Sequence, residues 1–478
     1  MVMETKTPPY MTNDKTSFAY VSARERWPVI ISQAIDDTYQ TLSQCNDTGK
    51  KGEGQTIVEE LTRLKYELQH DHQLTSLRDD GEPDIAQYNE ELEKLGNPTW
   101  FNAPWLYSEC YLYRRVNTSF NLSTYWKSYD IFARQKMSTF RSSRPAVLEL
   151  AARFKELVLQ IDKGKNNTSN EYEEAQEALF HEMCEICLWG NATDLSLLTS
   201  LTYEDIQKLQ GSEACKNSKG NILINNLGIA YELLKKAKDE GKERRVDIVL
   251  DNAGFELYVD LILAGYLLSS GLATHIVLHP KSIPWFVSDV LPKDFTDLLS
   301  ALANPKSFYD IPSDEKRQDK TPETISDKEA EEMSFLFRQW AGFHAAGQLV
   351  LRPDRFWTHA GSFWRLPVEK DLYEDLKASE LVIFKGDLNY RKLTGDAAWD
   401  PTTPFTEALG PLGPGSGINV LAMRTCKADV VVGLKPGEDE NIRASEGGGG
   451  DSGCRKWAWN GKWAVISFSG GEKGGACG

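Results

Sequence analysis

One short stretch near the middle of the chain constrains the fold most strongly. Residues 246–250 are nearly all apolar, as in a strand that is buried on both faces, and a helical pattern begins by Glu256. Asp251, Asn252 and Gly254 therefore fall in a strand-to-helix turn. Open α/β sheets bind ligands at such turns, beside helix N-termini that favour anions. An aspartate and an asparagine side by side there offer two hard oxygen ligands to a divalent cation.

The part of the chain after about Asn221 alternates strand and helix patterns. The strand candidates are Val246–Leu250, Thr274–Leu278, Leu349–Leu351, Leu381–Phe384, Ile418–Met423, Val430–Val432 and Trp463–Phe468. Helical patterns separate most of them, at Glu256–Leu268, Trp285–Leu302, Ser334–Ala346 and Asp371–Ala378. This alternation predicts an α/β fold, an α/β/α sandwich with a mainly parallel, doubly wound sheet.

The first part of the chain has a different pattern. From Phe18 to about Gln210 the apolar residues repeat at helical spacing. A chain of 478 residues also exceeds the size at which a single core usually stops growing. We therefore predict a helical N-terminal domain over residues 1–215 and an α/β metal-binding catalytic domain over residues 216–478. Within the second domain we predict a mobile Gly-rich loop at 435–453 and a disordered tail at 470–478.

Charge and hydropathy narrow the range of partners. The formal net charge of −16 repels nucleic acid and anionic membranes, so we predict neither as a partner. No run of about eighteen apolar residues occurs, and the polar N-terminus does not resemble a signal peptide. We expect a soluble intracellular protein in the cytoplasm, with the nucleus as a further location and no obligate protein partner. An anionic small substrate would need a metal ion or a local basic cluster to draw it in.

The eight cysteines are too sparse for a disulfide scaffold. Cys184 and Cys187 form a lone CxxC inside a helical pattern, with no second pair at zinc-like spacing. We predict that they are packed helix cysteines and not a metal or redox site.

Three further strand candidates end in turns that carry Lys or Arg together with acids or amides. These turns are His279–Lys281, Lys385–Lys392 and Arg424–Lys427. A helix is expected to begin near Trp285, which places Asp289 one turn into it. A chance scatter of surface charges would rarely favour the carboxyl ends of strands so consistently.

The chemistry available to these residues is limited to two kinds. Asp251, Asn252 and Asp289 supply oxygen ligands, which suit Mg²⁺ or Mn²⁺ with open positions for water and a substrate oxygen. The fixed positive charges that could hold a phosphate come from Lys385, Arg391 and Lys427. Taken singly, each residue has a simpler explanation, as a helix N-cap or a solvated surface charge. Together they predict metal-assisted hydrolysis of a phosphomonoester.

Longer motifs resemble those of a known family, the metal-dependent damage-control phosphatases. The resemblance rests on the strings Asp251–Glu256, Phe384–Lys392 and Arg424–Lys427, and it extends from Phe18 to Trp463. The closest fit is the subfamily marked by an Arg-Thr-x-Lys motif near the C-terminus. That subfamily includes fungal fructose-1-phosphate and fructose-6-phosphate phosphatases and a vertebrate protein reported as an acidic-residue methyltransferase.

The resemblance implies a helical N-terminal domain on an α/β/α sandwich, with the site in the cleft between them. It implies Mn²⁺, Co²⁺, Ni²⁺ or Mg²⁺ bound by Asp251, Asn252 and Asp289, and a phosphate held by Lys427. Asp251 and Lys427 are the predicted catalytic residues, with metal-bound water as the attacking group. The predicted contacts to the sugar phosphate are Asp387, Leu388, Asn389, Tyr390, Arg391 and Lys427.

Two questions stay open from the sequence. The alternative function is an S-adenosylmethionine-dependent protein-glutamate O-methyltransferase, in which Glu256 would be the cofactor-binding position. Such an enzyme usually has a glycine loop after its first strand, whereas the turn here has one glycine, Gly254. The loop that holds Asn191 and Asp194 has two equally weighted interpretations, as helix caps or as a segment that reaches the site.

Overall fold

The computed structural model describes residues 4–164, 170–190, 220–310 and 324–472. Its helices, in chain order, are α1 (Phe18–Val21), α2 (Trp27–Gln44), α3 (Thr48–Gln69), α4 (Asp84–Lys94), α5 (Trp105–Asn121), α6 (Ala133–Ser142), α7 (Arg144–Gly164), α8 (Asn170–Trp189), α9 (Leu227–Asp239), α10 (Phe255–Ser269), α11 (Pro292–Ala303), α12 (Pro305–Asp310), α13 (Asp327–Ala345), α14 (Lys370–Lys377), α15 (Gly386–Leu393), α16 (Phe405–Ala408) and α17 (Glu438–Ala444). A π-helical turn, Ser22–Arg26, joins α1 to α2, and short 3₁₀ turns lie at Arg355–Thr358, Phe363–Val368, Gly410–Leu412, Gly450–Ser452 and Lys456–Trp459.

The strands form one seven-stranded sheet. They are β1 (Ile222–Asn225), β2 (Arg245–Val249), β3 (His275–His279), β4 (Leu349–Leu351), β5 (Leu381–Lys385), β6 (Val420–Thr425) and β7 (Ala464–Ser469). The spatial order is β1-β7-β6-β5-β2-β3-β4, and only the β6–β7 pairing is antiparallel among these strands. The predicted mainly parallel, doubly wound α/β sheet is therefore confirmed.

The strand order reverses between β2 and β5. From β2 the chain moves outward to β3 and β4, then returns to β5 on the other side of β2. Such a switch point leaves a crevice outside the carboxyl ends of the two central strands. The turn that holds Asp251 follows β2, and Gly386 follows β5, so both lie at this crevice.

Both faces of the sheet are covered. Leu381 and Ile383 of β5 join the core under helices α7, α8, α10 and α13, whereas Val382 and Phe384 join the core on the opposite face. This alternation follows from the two-residue period of a strand, and burial of both faces explains why the strands read as continuous apolar runs. A third core, built mainly from α1 to α5, includes Leu388 and so reaches the strand ends.

Helix α11 begins later than the sequence predicted. The pattern indicated a helix over Trp285–Leu302, but residues 285–291 are irregular and the helix begins at Pro292. Leu291 is extended, with φ −103° and ψ 160°, because a residue before proline is disfavoured in the helical region. Asp289 therefore lies in a connecting segment and not in the first turn of a helix.

Three further elements differ from the sequence predictions. Val430–Val432 is not a strand, because backbone groups of this segment bond side chains: Val430 O accepts from Arg424 Nη1, and Val432 N–H donates to Tyr390 Oη. Strand β1 was not predicted, because it is a four-residue edge strand without a buried face. The predicted loop at 435–453 contains helix α17, whose Asp439 is paired with Arg455.

Other predictions have mixed outcomes. Cys184 and Cys187 are buried free thiols in α8, which confirms that they are packed helix cysteines. The predicted domain boundary near residue 215 lies outside the described residues and stays a prediction, as does most of the predicted tail. Within the described parts of the chain, no helix is long and apolar enough to span a bilayer.

Candidate active site

The turn after β2 is held by a second chain segment. Ala253 N–H donates to Ser288 O at 2.7 Å, and Val290 N–H donates to Asp251 O at 2.9 Å. Asn252 and Asp289 form an isolated antiparallel bridge between these hydrogen bonds. The three residues predicted to bind a metal ion are thus brought together, although Asp289 comes from a different part of the chain.

Side-chain hydrogen bonds connect the same residues. Asn252 Nδ2 donates to Asp251 Oδ2 and to Glu256 Oε2, each at 2.7 Å. Ser288 Oγ donates to Asn252 Oδ1. The amide of Asn252 is therefore fixed on both sides, and it is flanked by two carboxylates and a hydroxyl group.

The carboxylates of this cluster are strongly buried. Asp251, Glu256 and Asp289 are 6%, 4% and 1% exposed. Burial raises the pKa of Asp251 well above its ordinary value, and the charges of Glu256 and Asp289 raise it further, while Lys281 and Lys427 oppose the rise. Burial also raises the pKa of Asp289. The cluster gathers negative charge where water cannot screen it, so a nearby cation stabilises it.

The side-chain oxygen atoms of Asp251, Asn252 and Asp289 are the kind of ligand that a hard divalent cation prefers. Asp251 and Asp289 offer carboxylate oxygens and Asn252 an amide oxygen, and such ligands suit Mg²⁺ or Mn²⁺. The described residues contain no group of three or more His, Cys, Asp or Glu side chains arranged to hold a metal ion. The predicted set has only two carboxylates, so its assignment to a metal stays a prediction.

Gly386 allows the end of β5 to approach this cluster. A Cβ atom at this position would lie 1.9 Å from Asp251 Oδ2, and the backbone φ is +83°. Only glycine adopts such a φ without strain and leaves this space open. The glycine therefore sets how closely the two central strand ends meet.

Lys385 is buried beneath the cluster and fully engaged. Its ammonium donates to Asp260 Oδ1 at 2.8 Å, to Glu256 Oε1 at 3.3 Å and to Cys187 O at 3.0 Å. Lys385 is 1% exposed. Its single charge is shared between two carboxylates of α10, which leaves it no free donor for a phosphate.

Asp387 joins the ends of β5 and β6. Its Oδ1 accepts from Arg424 Nε at 2.8 Å and from Lys427 N–H at 2.9 Å. The Lys427 ammonium has no hydrogen-bond or ion-pair partner within the described residues, and its charge acts on Asp251. The Arg-Thr-x-Lys element thus delivers one uncommitted cation to the cluster.

Other residues predicted to contact the substrate bind the protein itself. Asn389 Nδ2 donates to Leu250 O at 3.2 Å and to Lys385 O at 2.7 Å. Tyr390 and Leu388 lie in hydrophobic cores. These contacts hold α15 against the ends of β2 and β5, and a substrate contact by any of the three stays a prediction.

Arg391 is also committed to protein partners. Its guanidinium donates to Glu109 Oε2 at 2.7 Å and to Asp396 Oδ2 at 2.9 Å, and it lies 3.7 Å from the ring centroid of Trp105. It is 3% exposed. This arrangement joins α15 to α5 and occupies the guanidinium with protein groups. The role of Arg391 in phosphate binding therefore stays a prediction.

Two residues of the site were given no role in the sequence analysis, although the turn that contains Lys281 was noted there. Lys281, fully buried, lies 3.0 Å from Asp289 Oδ2 and donates to Leu250 O at 2.7 Å. Its position after β3 was the available signal. Glu109 gave a weaker signal, a single acid within the aromatic pattern of α5. Asn191 and Asp194 lie outside the described residues.

Comparisons with known proteins agree with the sequence motifs. The family model for the damage-control phosphatase ARMT1-like domain matches residues 22–442. The damage-control phosphatase ARMT1 of Xenopus tropicalis is 35% identical over 468 residues, which cover 95% of this chain and 96% of that protein. The protein of the same name from Bos taurus is 35% identical over 472 residues, with 96% and 97% covered. A crystal structure of a DUF89 family protein from Pyrococcus horikoshii aligns with 83% of this chain and 92% of that chain, at 14% identity and a TM-score of 0.34.

Proposed function

The chain belongs to the ARMT1-like damage-control phosphatase family, and from this premise we propose that it hydrolyses small sugar phosphates such as fructose-1-phosphate and fructose-6-phosphate. The family is metal-dependent, and we propose Mn²⁺, Co²⁺, Ni²⁺ or Mg²⁺ as the ion. The observation that carries this proposal is the meeting of Asp251, Asn252 and Asp289 at the switch point of the sheet, together with the Lys427 ammonium, which has no ion-pair partner among the described residues.

The residues of the turn have separable roles in this proposal. Asp251, Asn252 and Asp289 would hold the divalent cation, which supplies charge neutralisation at the phosphoryl oxygens and lowers the pKa of a water molecule. Lys427 would bind the phosphate and stabilise the charge that develops as the ester bond breaks. Asp387 positions Lys427 by accepting a hydrogen bond from the backbone N–H of Lys427.

Phosphate release tests the proposal. Metal-stripped protein is given fructose-1-phosphate or fructose-6-phosphate, and Mn²⁺, Co²⁺, Ni²⁺ or Mg²⁺ is added back. We expect release to return with metal in the wild type and to be lost in Asp251→Ala, because the buried ligand is removed. Calorimetric titration with Mn²⁺ should show that this variant also loses metal binding.

The matched control is Asp239→Ala, which removes an exposed aspartate at the end of α9. It should retain both activity and Mn²⁺ binding. Metal-dependent release by Asp251→Ala at the wild-type rate would disprove the assignment of this residue.

The methyltransferase alternative has no observation in its favour. Both carboxylate oxygens of Glu256 already have protein partners, Asn252 and Lys385. Binding of S-adenosylmethionine, together with the absence of phosphate release with any of the four metals, would move this alternative to first place.

The remaining expectations concern partners and location. A small phosphorylated metabolite is the proposed partner, without nucleic acid, membrane or an obligate protein partner. A cytoplasmic location, with the nucleus as a further one, stays a prediction that cell fractionation would test.

A further inference from the structure

A cavity of about 430 Å³ opens beside the candidate active site. This volume lies within the range of about 300–1,000 Å³ that is usual for small-molecule sites. Its lining includes Ser288, which donates to Asn252, and Glu109, which accepts from Arg391. The cavity therefore shares one wall, Ser288, with the segment that holds the turn after β2.

The lining of the cavity is rich in groups that form hydrogen bonds. Glu25, Arg26, Gln33, Glu109, Tyr113 and Gln135 all contribute to it. Charges of both signs are present, with two glutamates and one arginine, so the cavity does not offer a second anion site. Such a surface suits an uncharged molecule that carries several hydroxyl groups.

Tyr113 places a phenolic hydroxyl in this cavity. The residue is 4% exposed, and its hydroxyl has no hydrogen-bond partner among the residues that the structure describes. Burial raises the pKa of Tyr113 well above its ordinary value, so the hydroxyl stays protonated and can donate a hydrogen bond. The phenolic oxygen is not among the fully buried side-chain atoms, so it can exchange a hydrogen bond with a ligand in the cavity.

Glu109 is held in a fixed orientation at the cavity wall. Trp27 Nε1 donates to its Oε1 at 3.1 Å, and Arg391 Nη1 donates to its Oε2 at 2.7 Å. Each carboxylate oxygen has a further lone pair that can accept a hydrogen bond. The carboxylate is thus prearranged to accept from a ligand hydroxyl group at little entropic cost.

A strained loop completes the wall. Phe286 and Val287 have φ angles of +43° and +69°, which are rare for residues other than glycine and especially for a β-branched one. The Phe286 ring stacks on Tyr113, with 4.7 Å between ring centroids, and Ser288, two residues later, donates to Asn252. Strain of this kind persists where surrounding contacts fix the conformation, and it is common at ligand sites.

We propose that this cavity binds the polyhydroxylated carbon skeleton of the phosphorylated substrate, with the Tyr113 hydroxyl and the Glu109 carboxylate as its hydrogen-bonding partners. The inference rests on the proposed phosphatase function, since the phosphate itself would lie at Lys427. It makes Tyr113 a specificity-determining residue for sugar phosphates over esters whose organic group has no hydroxyls.

Tyr113→Phe is the decisive substitution, because it removes the hydroxyl and keeps the ring that stacks on Phe286. Changing Glu109 would also unpair Arg391, so that change is less selective. Tyr107→Phe is the matched control: Tyr107 lies on the same helix, and its hydroxyl donates to Tyr88 O at 2.9 Å. With fructose-1-phosphate and p-nitrophenyl phosphate as substrates, kcat/KM is measured for the three proteins with the activating metal.

We expect Tyr113→Phe to lower kcat/KM for fructose-1-phosphate by roughly 3- to 10-fold, the effect of one lost hydrogen bond. Its kcat/KM for p-nitrophenyl phosphate should stay within about 2-fold of the wild type, and Tyr107→Phe should match the wild type on both substrates. An equal change on both substrates, or no change on either, would overturn the inference.

A direct binding measurement separates this inference from the proposed function. Trp285 lies 5.9 Å from Tyr113 between ring centroids, so quenching of tryptophan fluorescence can report binding of fructose-1-phosphate without turnover. If the wild type hydrolyses neither ester but Tyr113→Phe binds fructose-1-phosphate more weakly, the phosphatase proposal fails and the cavity assignment stands. Equal binding by the two proteins would overturn the cavity assignment, whatever the phosphatase result.

Discussion

Contacts between single residues set the geometry of the candidate active site. Asp251 follows β2 and Gly386 follows β5, and their neighbouring strand ends leave no room for a side chain on the glycine. Asn252 then bonds Asp251 and Glu256, while Lys281 and Lys385 neutralise the surrounding acids. The position of each carboxylate thus depends on a hydrogen bond or ion pair with a neighbouring side chain.

Gly386→Ala should abolish phosphatase activity and Mn²⁺ binding. The new Cβ would lie 1.9 Å from Asp251 Oδ2, so the aspartate or the strand end must move. Gly241→Ala is the matched control, because Gly241 also has a positive φ, +66°, but no atom lies within 4 Å of the added Cβ. In both variants we expect the strained backbone to lower the free energy of unfolding by roughly 1 kcal/mol, which denaturant unfolding would measure. Equal activity in the two variants would show that the contact with Asp251 is unimportant.

At the scale of elements, α15 connects the sheet to the helical layer. Its Arg391 pairs with Glu109 of α5 and with Asp396, and its guanidinium lies over Trp105. Because Glu109 also lines the cavity, the same ion pairs fix one cavity wall relative to the strand ends. The packing of α5 against α15 therefore couples the stability of the fold to the shape of the site.

Arg391→Met should destabilise the protein by roughly 3–5 kcal/mol, because it leaves two buried carboxylates without their cation. Urea unfolding measures the change. The control is Arg338→Met, which breaks an exposed pair with Glu331, where both side chains are more than half exposed, and should cost less than about 1 kcal/mol. Unchanged stability with a raised KM would instead support the predicted contact between Arg391 and phosphate.

At the scale of the whole molecule, residues near the two ends of the chain meet at Asp429. Its Oδ2 accepts from Ser17 Oγ and Phe18 N–H, each at 2.8 Å, and its Oδ1 accepts from Trp459 Nε1 at 2.7 Å. Asp429 is 2% exposed, and burial raises its pKa to about 6. This carboxyl group closes the helical layer onto the C-terminal part of the chain.

Asp429 should make stability depend on pH. Its folded pKa of about 6 exceeds the ordinary value of 3.8, so the folded state holds the proton more tightly. The protonated Asp429 carboxyl therefore adds to the free energy of unfolding, fully below pH 3.8, and this addition is lost as pH rises through 6. We expect the free energy of unfolding of the wild type, relative to Asp429→Asn, to fall by about 1 kcal/mol between pH 5 and pH 7. A difference that stays constant over this range would contradict the raised pKa.

The sequence by itself determined the mainly parallel character of the sheet, six of its seven strands and the types of side chain in the turn after β2. Continuous apolar runs identify strands that are buried on both faces, and polar residues directly after them identify the strand ends. Asp251, Asn252 and Lys427 were predicted as site residues in this way, because each lies next to a strand whose pattern is local. The helix after Asp289 was predicted to begin too early. Pro292 disfavours a helical conformation at Leu291, and the apolar pattern alone does not show this.

Only the tertiary structure decided which charges remain available. Lys385 and Arg391 resemble Lys427 in the sequence, yet they neutralise Glu256, Asp260, Glu109 and Asp396, whereas Lys427 has no such partner among the described residues. The strand order that joins β2 to β5 and the cavity at Tyr113 likewise depend on contacts between distant parts of the chain. The local sequence shows which charged side chains follow a strand. Whether such a charge is paired depends on packing between distant parts of the chain, which a single sequence does not specify.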